Sequence, residues 1–254
     1  MRILSIALNT FRENLREKLL YNLLIFALLM IGSSIVLSRL TLGDYERLIL
    51  DIGLGSINIF GVLIAIFVGI GLVSKEIEKK TIYTIVSKPV PRYEFLTGKF
   101  CGLAITLLVN TCVMVVGLLL VLWLKQVPVE GILFKAVALI YLECLVVTAV
   151  ALLFSTFSSA TLSAIFTLAI YVIGHLSSDL RLFGKKFMGE VGQGILNTLY
   201  YVLPNLDRFN LKGHVIHHIA FTATDMALTL AYGVAYMSLL LILSSVIFQN
   251  RDFQ

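Results

Sequence analysis

Residues 136–178 read AVALIYLECLVVTAVALLFSTFSSATLSAIFTLAIYVIGHLSS, a run of 43 residues in which Glu143 is the only charged side chain. An α-helix rises about 1.5 Å per residue, so this run would extend roughly 65 Å as one helix. A helix of about 20 residues already crosses the hydrocarbon core of a bilayer with its backbone groups bonded internally. The run therefore predicts two crossings, with the small hydroxyl residues from Ser155 to Thr161 forming a tight hairpin between them.

Four further runs are uncharged over lengths that match one crossing each. They hold 20, 23, 25 and 25 residues and lie between Lys18 and Arg39, Asp51 and Lys75, Lys99 and Lys125, and Asp225 and Arg251. Apolar residues make up 59% of the chain, whereas soluble domains average about 45–50%. We therefore predict an all-α polytopic membrane protein, a single domain over residues 1–254. Its six transmembrane helices are predicted at 19–38, 54–74, 101–124, 136–154, 161–178 and 226–248.

Basic residues near the spans predict the orientation. The segment before the first span holds four Lys or Arg residues and the loop 75–99 holds six, whereas the two opposite short loops hold two each. The positive-inside rule then places both termini and the loop 75–99 in the cytoplasm, and residues 179–225 outside. That outer segment has five basic residues of its own, but its 47 residues approach the length at which the rule loses force.

The net charge of +5 does not indicate a nucleic-acid partner. The basic residues are dispersed at the ends of hydrophobic spans, where membrane lipid headgroups are their expected partners. Cys101, Cys112 and Cys144 lie inside predicted spans without C-x-x-C spacing, so they indicate neither a disulfide framework nor a zinc site. We expect them to be packing residues.

Two segments outside the spans are amphipathic. Apolar residues recur at helical spacing from Leu4 to Leu15, with charges on the other faces, which predicts an elbow helix over 1–18 on the membrane surface. The alternative is a frayed start of the first span. In the outer loop, the apolar face from Val191 to Val202, ended by Pro204, predicts an interfacial helix rather than a seventh span.

The loop 75–99 reads KEIEKKTIYTIVSKPVPRYEFLTGK and mixes both charge signs with apolar residues. Its first half is expected to form a short helix with a docking face. Pro89 disfavours a helical conformation at Lys88, and Pro91 suits the start of the next helix. The loop is therefore predicted as helix, extended hinge and helix, a rigid strut that transmits a push from a soluble partner to the second and third spans.

This loop resembles the coupling loop of type-two ABC exporter permeases, in which a mixed-charge E-x-E-x-x-T stretch precedes a Lys/Thr-Pro turn and a Gly-Lys pair at the third span. The resemblance extends over the elbow helix, the six spans, the tight hairpin and an outer segment at 201–210, YVLPNLDRFN. It is closest to the branch described as permeases of multicopper-enzyme maturation systems. That branch does not fix the substrate.

The resemblance implies a permease subunit, homodimeric and driven by two copies of a cytosolic ABC ATPase, which would bind the ATP and magnesium. It also implies export across a bacterial or archaeal cytoplasmic (inner) membrane by alternating access, although a heterodimeric permease stays open. The residues that would form the coupling helix in a cleft of the ATPase are Lys75, Glu76, Glu78, Lys79, Lys80, Thr81 and Tyr83. The alternative for these residues is a solvated charged loop.

The chain is not expected to be an enzyme or to hydrolyse ATP itself. A phosphate-binding P-loop requires G-x-x-x-x-G-K-[ST]. Gly98-Lys99 is followed by Phe100, and Gly184-Lys185 is followed by Lys186. No cofactor is expected in this chain, and the energy source must lie in a partner.

Two polar residues inside spans are candidates for a translocation pathway. An ionised carboxylate is costly at the depth of Glu143, so it is expected to face a partner or a wet cavity. Its alternatives are a position near the outer interface or a neutral acid bonded to a hydroxyl. Asn110 is the second candidate, with interhelical hydrogen bonding as the alternative.

His214, His217 and His218 have the spacing H-x-x-H-H, but no acid or cysteine is adjacent. We expect interfacial histidines before the last span, and a metal site is the alternative.

Two other functional classes were weighed against the transporter subunit. An intramembrane hydrolase would need a nucleophile with a base, yet no G-x-S-x-G occurs and His175 is the only histidine well inside the apolar runs. An ion-coupled carrier or channel not driven by ATP is the main alternative. Such proteins more often show several intramembrane charges or helices broken by proline.

Overall fold

The computed structural model describes residues 2–39, 44–78, 91–187, 190–216, 219 and 221–249. Within these residues all regular structure is helical, which confirms the all-α prediction. The α-helices are α1 (Arg2–Asn14), α2 (Lys18–Leu37), α3 (Tyr45–Glu78), α4 (Arg92–Leu124), α5 (Gly131–Ser155), α6 (Ala160–Phe187), α7 (Glu190–Val202), α8 (Lys212–Ile216) and α9 (Ala223–Gln249). A 3-10 turn, Leu206–Phe209, lies between α7 and α8.

Six of these helices are long and apolar enough to cross a membrane, as the sequence predicted. They are α2, α3, α4, α5, α6 and α9. The chain is therefore an all-α polytopic membrane protein with six candidate spans. Each predicted span overlaps one of these helices.

Several helices extend beyond the predicted spans. α3 begins at Tyr45 rather than 54, and α4 begins at Arg92 rather than 101. Charged residues such as Asp51 lower the hydropathy of these ends, but they do not interrupt backbone hydrogen bonding. A helix of 34 residues has a length of about 50 Å, so the ends of α3 lie beyond a hydrocarbon core of about 30 Å.

α3 and α5 lie at the centre of the bundle. In each, 67% of the apolar stretch is buried, compared with 22% in α2, 22% in α6 and 17% in α9. The two central helices approach closely at Gly61, where an added Cβ would lie 2.9 Å from the sulfur of Cys144. Gly69 likewise faces Ala151. Small residues therefore allow the central pair to pack tightly, and the other spans surround it.

The elbow helix α1 packs along the predicted cytoplasmic part of α4. Its buried side chains are Ala7, Thr10 and Asn14, whereas Leu4 and Leu8 are exposed. The amphipathic helix is thus present, with its small residues against α4 and its leucines facing outward. The Asn14 amide donates a 3.1 Å hydrogen bond to the Thr106 hydroxyl, which ties the end of α1 to α4.

The hairpin between α5 and α6 is short, and its hydroxyl groups bond to the backbone. Thr156 Oγ1 donates to the Leu153 carbonyl at 2.6 Å, and Ser158 Oγ donates to the Phe154 carbonyl at 2.9 Å. The hydroxyls of Ser158 and Ser163 are 2.7 Å apart. The sequence predicted that small hydroxyl residues would bond backbone groups at this turn, and these contacts confirm it.

The predicted outer segment folds back onto the bundle. α7 matches the interfacial helix expected from the sequence. After α7, Leu206, Phe209 and Leu211 are buried. The Asn205 backbone N–H donates to the Tyr232 hydroxyl at 2.9 Å, and the Tyr236 hydroxyl donates to the Val202 carbonyl at 2.9 Å. The segment that precedes α9 is therefore bonded to the first half and the middle of that helix.

The contact between α1 and α4 predicts a specific response to glycine substitution. A Cβ at Gly102 would lie 2.6 Å from the Ala7 carbonyl oxygen and 2.6 Å from the Thr10 Cβ. Gly102→Ala should therefore displace α1 and lower the free energy of unfolding by about 1–3 kcal/mol, measured by thermal unfolding in mild detergent. The matched control is Gly32→Ala on α2, which has no neighbour within 4 Å and should be neutral or stabilising. Equal effects of the two variants would contradict the packing described.

Candidate functional site

Glu143 lies at the middle of the central helix α5. It is 12 residues from Gly131 and 12 from Ser155, which places it about 18 Å from either helix end. Its side chain is fully buried, with 0% exposure. A carboxyl group at this depth needs partners from the protein because hydrocarbon offers none.

The partners of Glu143 come from two other spans. The Asn58 amide of α3 donates to Glu143 Oε2 at 2.7 Å. His175 Nε2 of α6 lies 2.7 Å from Glu143 Oε1. Both carboxyl oxygens are therefore paired, and one side chain joins α3, α5 and α6.

Tyr171 completes this cluster. Its hydroxyl donates to Asn58 Oδ1 at 3.0 Å, which fixes the orientation of the amide. Its ring meets the His175 ring edge to face, with centroids 4.8 Å apart. Tyr171 and His175 are four residues apart, so both project from the same face of α6. We name Asn58, Glu143, Tyr171 and His175 the buried polar cluster.

The buried polar cluster reaches the protein surface through His175. The imidazole is 23% exposed, whereas the Glu143 side chain is 0% exposed. Neighbouring residues on α6, Val172 and Leu176, are exposed apolar side chains. The imidazole thus connects the surface of α6 with the buried carboxyl group.

Sequence reasoning found Glu143 but missed its partners. His175 entered only as an isolated histidine, and Asn58 and Tyr171 were not singled out. The four-residue spacing of Tyr171 and His175 was a usable signal. Asn58 had a weaker one, since it is an amide inside an uncharged run.

The second pathway candidate, Asn110, lies elsewhere. It is buried on α4, and its amide donates to the Thr106 carbonyl of the same helix at 2.8 Å. That hydrogen bond lies within α4, and it does not join Asn110 to the buried polar cluster. A role of Asn110 in transport stays a prediction.

Three of the seven predicted coupling residues lie within the described part of the chain. Lys75, Glu76 and Glu78 are in the last turns of α3, which runs on to Glu78 beyond the predicted span. The remaining four, Lys79, Lys80, Thr81 and Tyr83, lie outside the described residues. The next described residue is Pro91, which has a φ of −58° and directly precedes the first residue of α4. Pro91 thus sits at a helix start, as expected.

Lys99 links the start of α4 to the elbow helix. Its side chain is only 4% exposed, and its Nζ lies 3.4 Å from Glu13 Oε2. The ammonium also lies 5.7 Å from the centroid of the Phe95 ring. A buried lysine needs such a partner, so α1 and α4 are joined by charge as well as by packing.

The histidines before the last span are described only in part. His214 lies on α8, and its ring meets Phe221 edge to face at 5.6 Å. His217 and His218 lie outside the described residues. Among the residues that are described, no three His, Cys, Asp or Glu side chains are placed to bind a metal ion.

A cavity of about 350 Å³ opens at the predicted outer end of the bundle. It lies between the start of α3, the turn that joins α4 to α5, and α8. Its lining includes Asp44, Glu46, Arg47 and Glu130 together with apolar residues. The cavity is thus a charged depression at one end of the helices.

A sequence profile of the family described as "ABC-2 family transporter protein" matches residues 4–253. The match runs from the elbow helix to the end of α9, so it includes all six candidate spans. No curated protein matches the chain.

The buried polar cluster predicts that the size and polarity of residue 143 matter for stability. Glu143→Ala should leave the polar groups of Asn58 and His175 without their partner. Each such loss should lower the free energy of unfolding by about 1–3 kcal/mol. Glu143→Gln keeps the shape and the oxygen that accepts from Asn58, so it should unfold at a higher temperature than Glu143→Ala. Thermal unfolding of the purified variants in one detergent measures the difference.

Glu130→Ala is the matched control, since Glu130 is an exposed residue directly before the same helix. It should stay within about 0.5 kcal/mol of the unsubstituted protein. A stability of Glu143→Ala equal to that of this control would show that the cluster contributes nothing to packing.

Proposed function

The chain belongs to the ABC-2 family of transporter proteins and is a multi-pass ABC transporter permease, and from that premise we propose that it is the permease subunit of an ATP-driven exporter. The observation that carries the proposal is the family match over residues 4–253. The sequence adds that both Gly-Lys pairs lack the remaining residues of a P-loop. A separate cytosolic ATPase, with bound ATP and magnesium, would supply the energy.

The coupling site of this proposal is the region from Lys75 to Tyr83. α3 continues without interruption from Asn58 to Glu78. The 18 residues from Asn58 to Glu76 correspond to about 27 Å of helix. A movement imposed on Glu76 by an ATPase would therefore reach the buried polar cluster through one rigid element. This continuity supports a role of the cluster in the transport cycle.

We further propose that two copies of the chain and two ATPase subunits form the complete transporter. α2, α6 and α9 present long exposed apolar faces, which membrane lipids and a second copy would cover. Substrate would then pass between the two copies. Glu143 and Asn110 remain candidates for the pathway, and Tyr171 and His175 are the partly exposed members of the cluster. The proposed location is a bacterial or archaeal inner membrane, with both termini in the cytoplasm.

One observation favours the alternative of an ion-coupled carrier or channel. Glu143 and His175 are two ionisable side chains in contact within the membrane-spanning part, an arrangement that proton-coupled proteins use. The two functions differ in a simple measurement. Ion flux through the purified chain alone in liposomes would favour the carrier or channel, whereas a co-purifying ATPase favours the exporter.

The exporter proposal predicts the effect of charge reversal in the coupling region. In the complex with the ATPase that co-purifies from the native membrane, Glu76→Lys with Lys80→Glu should abolish the permease-dependent stimulation of ATP hydrolysis. The double reversal exchanges one acid for one base and one base for one acid, so the net charge of the region is unchanged. Loss of stimulation would therefore report a lost contact with the ATPase rather than a change in net charge.

The control reverses one acid and one base on the predicted outer side, Glu46→Lys with Lys125→Glu, and should keep full stimulation. Membrane insertion of both variants is checked by their yield in the membrane fraction. Stimulation that survives reversal at Glu76 and Lys80 would contradict the proposed coupling site.

A further inference from the structure

Arg92, the first residue of α4, holds the last residues of α9. Its Nη1 donates to the Phe248 carbonyl at 2.5 Å and to the Gln249 carbonyl at 2.9 Å. Phe248 and Gln249 are the last described residues of α9. One guanidinium nitrogen thus bonds two backbone carbonyls of α9, and a charged donor makes such hydrogen bonds stronger than neutral ones.

Aromatic contacts reinforce this attachment. The Arg92 guanidinium lies 5.7 Å from the centroid of the Phe248 ring. The ring of Phe95, one turn further along α4, stacks on Phe248 with centroids 6.3 Å apart and planes 15° apart. Both phenylalanines are buried. We name Arg92, Phe95 and Phe248 the terminal clasp.

The terminal clasp lies where the coupling loop enters α4. Arg92 falls within the segment 75–99 that the sequence predicts as the coupling loop, whereas Phe248 is 156 residues away along the chain. α9 is the least buried of the six candidate spans, at 17%. In its first half and at its middle it is attached to the outer segment through Tyr232 and Tyr236. A helix with little buried surface follows the points at which it is held.

We propose that Arg92 is a positioning residue that makes α9 move with the coupling loop. This inference rests on the proposed function, because it needs an ATPase that displaces the loop. A displacement of the loop moves the first turn of α4. The two hydrogen bonds and the stacked rings then carry the end of α9 with that turn, so the push reaches the last span as well as the two spans that flank the loop.

The first experiment tests, in the permease alone, whether the terminal clasp fixes the distance between α4 and α9. Spin labels are placed at Tyr93→Cys and Val246→Cys, both exposed positions, in a chain whose Cys101, Cys112 and Cys144 are replaced by alanine. Pulsed electron paramagnetic resonance in lipid nanodiscs should give a narrow distance distribution. Arg92→Ala should broaden this distance distribution at least twofold. Arg92→Lys should broaden it less, because an ammonium can also donate hydrogen bonds to carbonyls. Arg47→Ala is the control and should leave the width unchanged.

The second experiment measures transmission in the complex with the co-purifying ATPase. The label pair is Phe157→Cys, in the hairpin between α5 and α6, and Val246→Cys on α9. Trapping the ATPase with ADP and vanadate should shift this distance, and Arg92→Ala should remove at least half of the shift while ATP is still hydrolysed. A purely structural role would change thermal stability but leave the nucleotide-dependent shift intact.

The outcomes separate this inference from the proposed function. An unchanged width in Arg92→Ala, or an undiminished shift, would overturn the role of Arg92 even in a working transporter. Absence of a co-purifying ATPase would contradict the proposed function and, with it, transmission through Arg92. The first experiment still decides in that case whether Arg92 holds α9.

Discussion

The hydrocarbon core provides no hydrogen-bond partner, and the fold depends on this constraint. Every backbone group in a span must bond within its helix, which is why six uninterrupted apolar helices form. Hydroxyl groups inside the spans follow the same rule. Thr148 donates to the Cys144 carbonyl one turn back, and Ser244 donates to the Leu240 carbonyl in the same way.

A carboxyl group cannot be satisfied within its own helix so easily, and Glu143 shows the consequence. It is hydrogen-bonded to Asn58 of α3 and His175 of α6 in the middle of the bundle. The central pair of α3 and α5 must then approach closely, which small residues such as Gly61 permit. One polar residue thereby fixes the relative positions of three spans, and α3 connects that point with the region proposed to contact an ATPase.

Hydropathy and charge in the sequence were sufficient to predict six spans, the hairpin after α5, the elbow helix and the outer helix α7. Several helices extend beyond the predicted spans, because residues such as Asp51 end an apolar run without ending a helix. The partners of Glu143 could not be predicted from local patterns, since Asn58 and His175 are 85 and 32 residues away. The same holds for Arg92 and Phe248. Such contacts depend on how the spans pack against one another, and the periodicity of a single span does not indicate that packing.

The most direct test of the account is the composition of the particle that this chain forms in its native membrane. The tagged chain, of 28.2 kDa, would be extracted in mild detergent and its intact complex weighed by native mass spectrometry. The account predicts two copies of the chain with two copies of one P-loop ATPase. A particle that contains the chain without any ATPase, and that conducts ions when placed in liposomes, would contradict it.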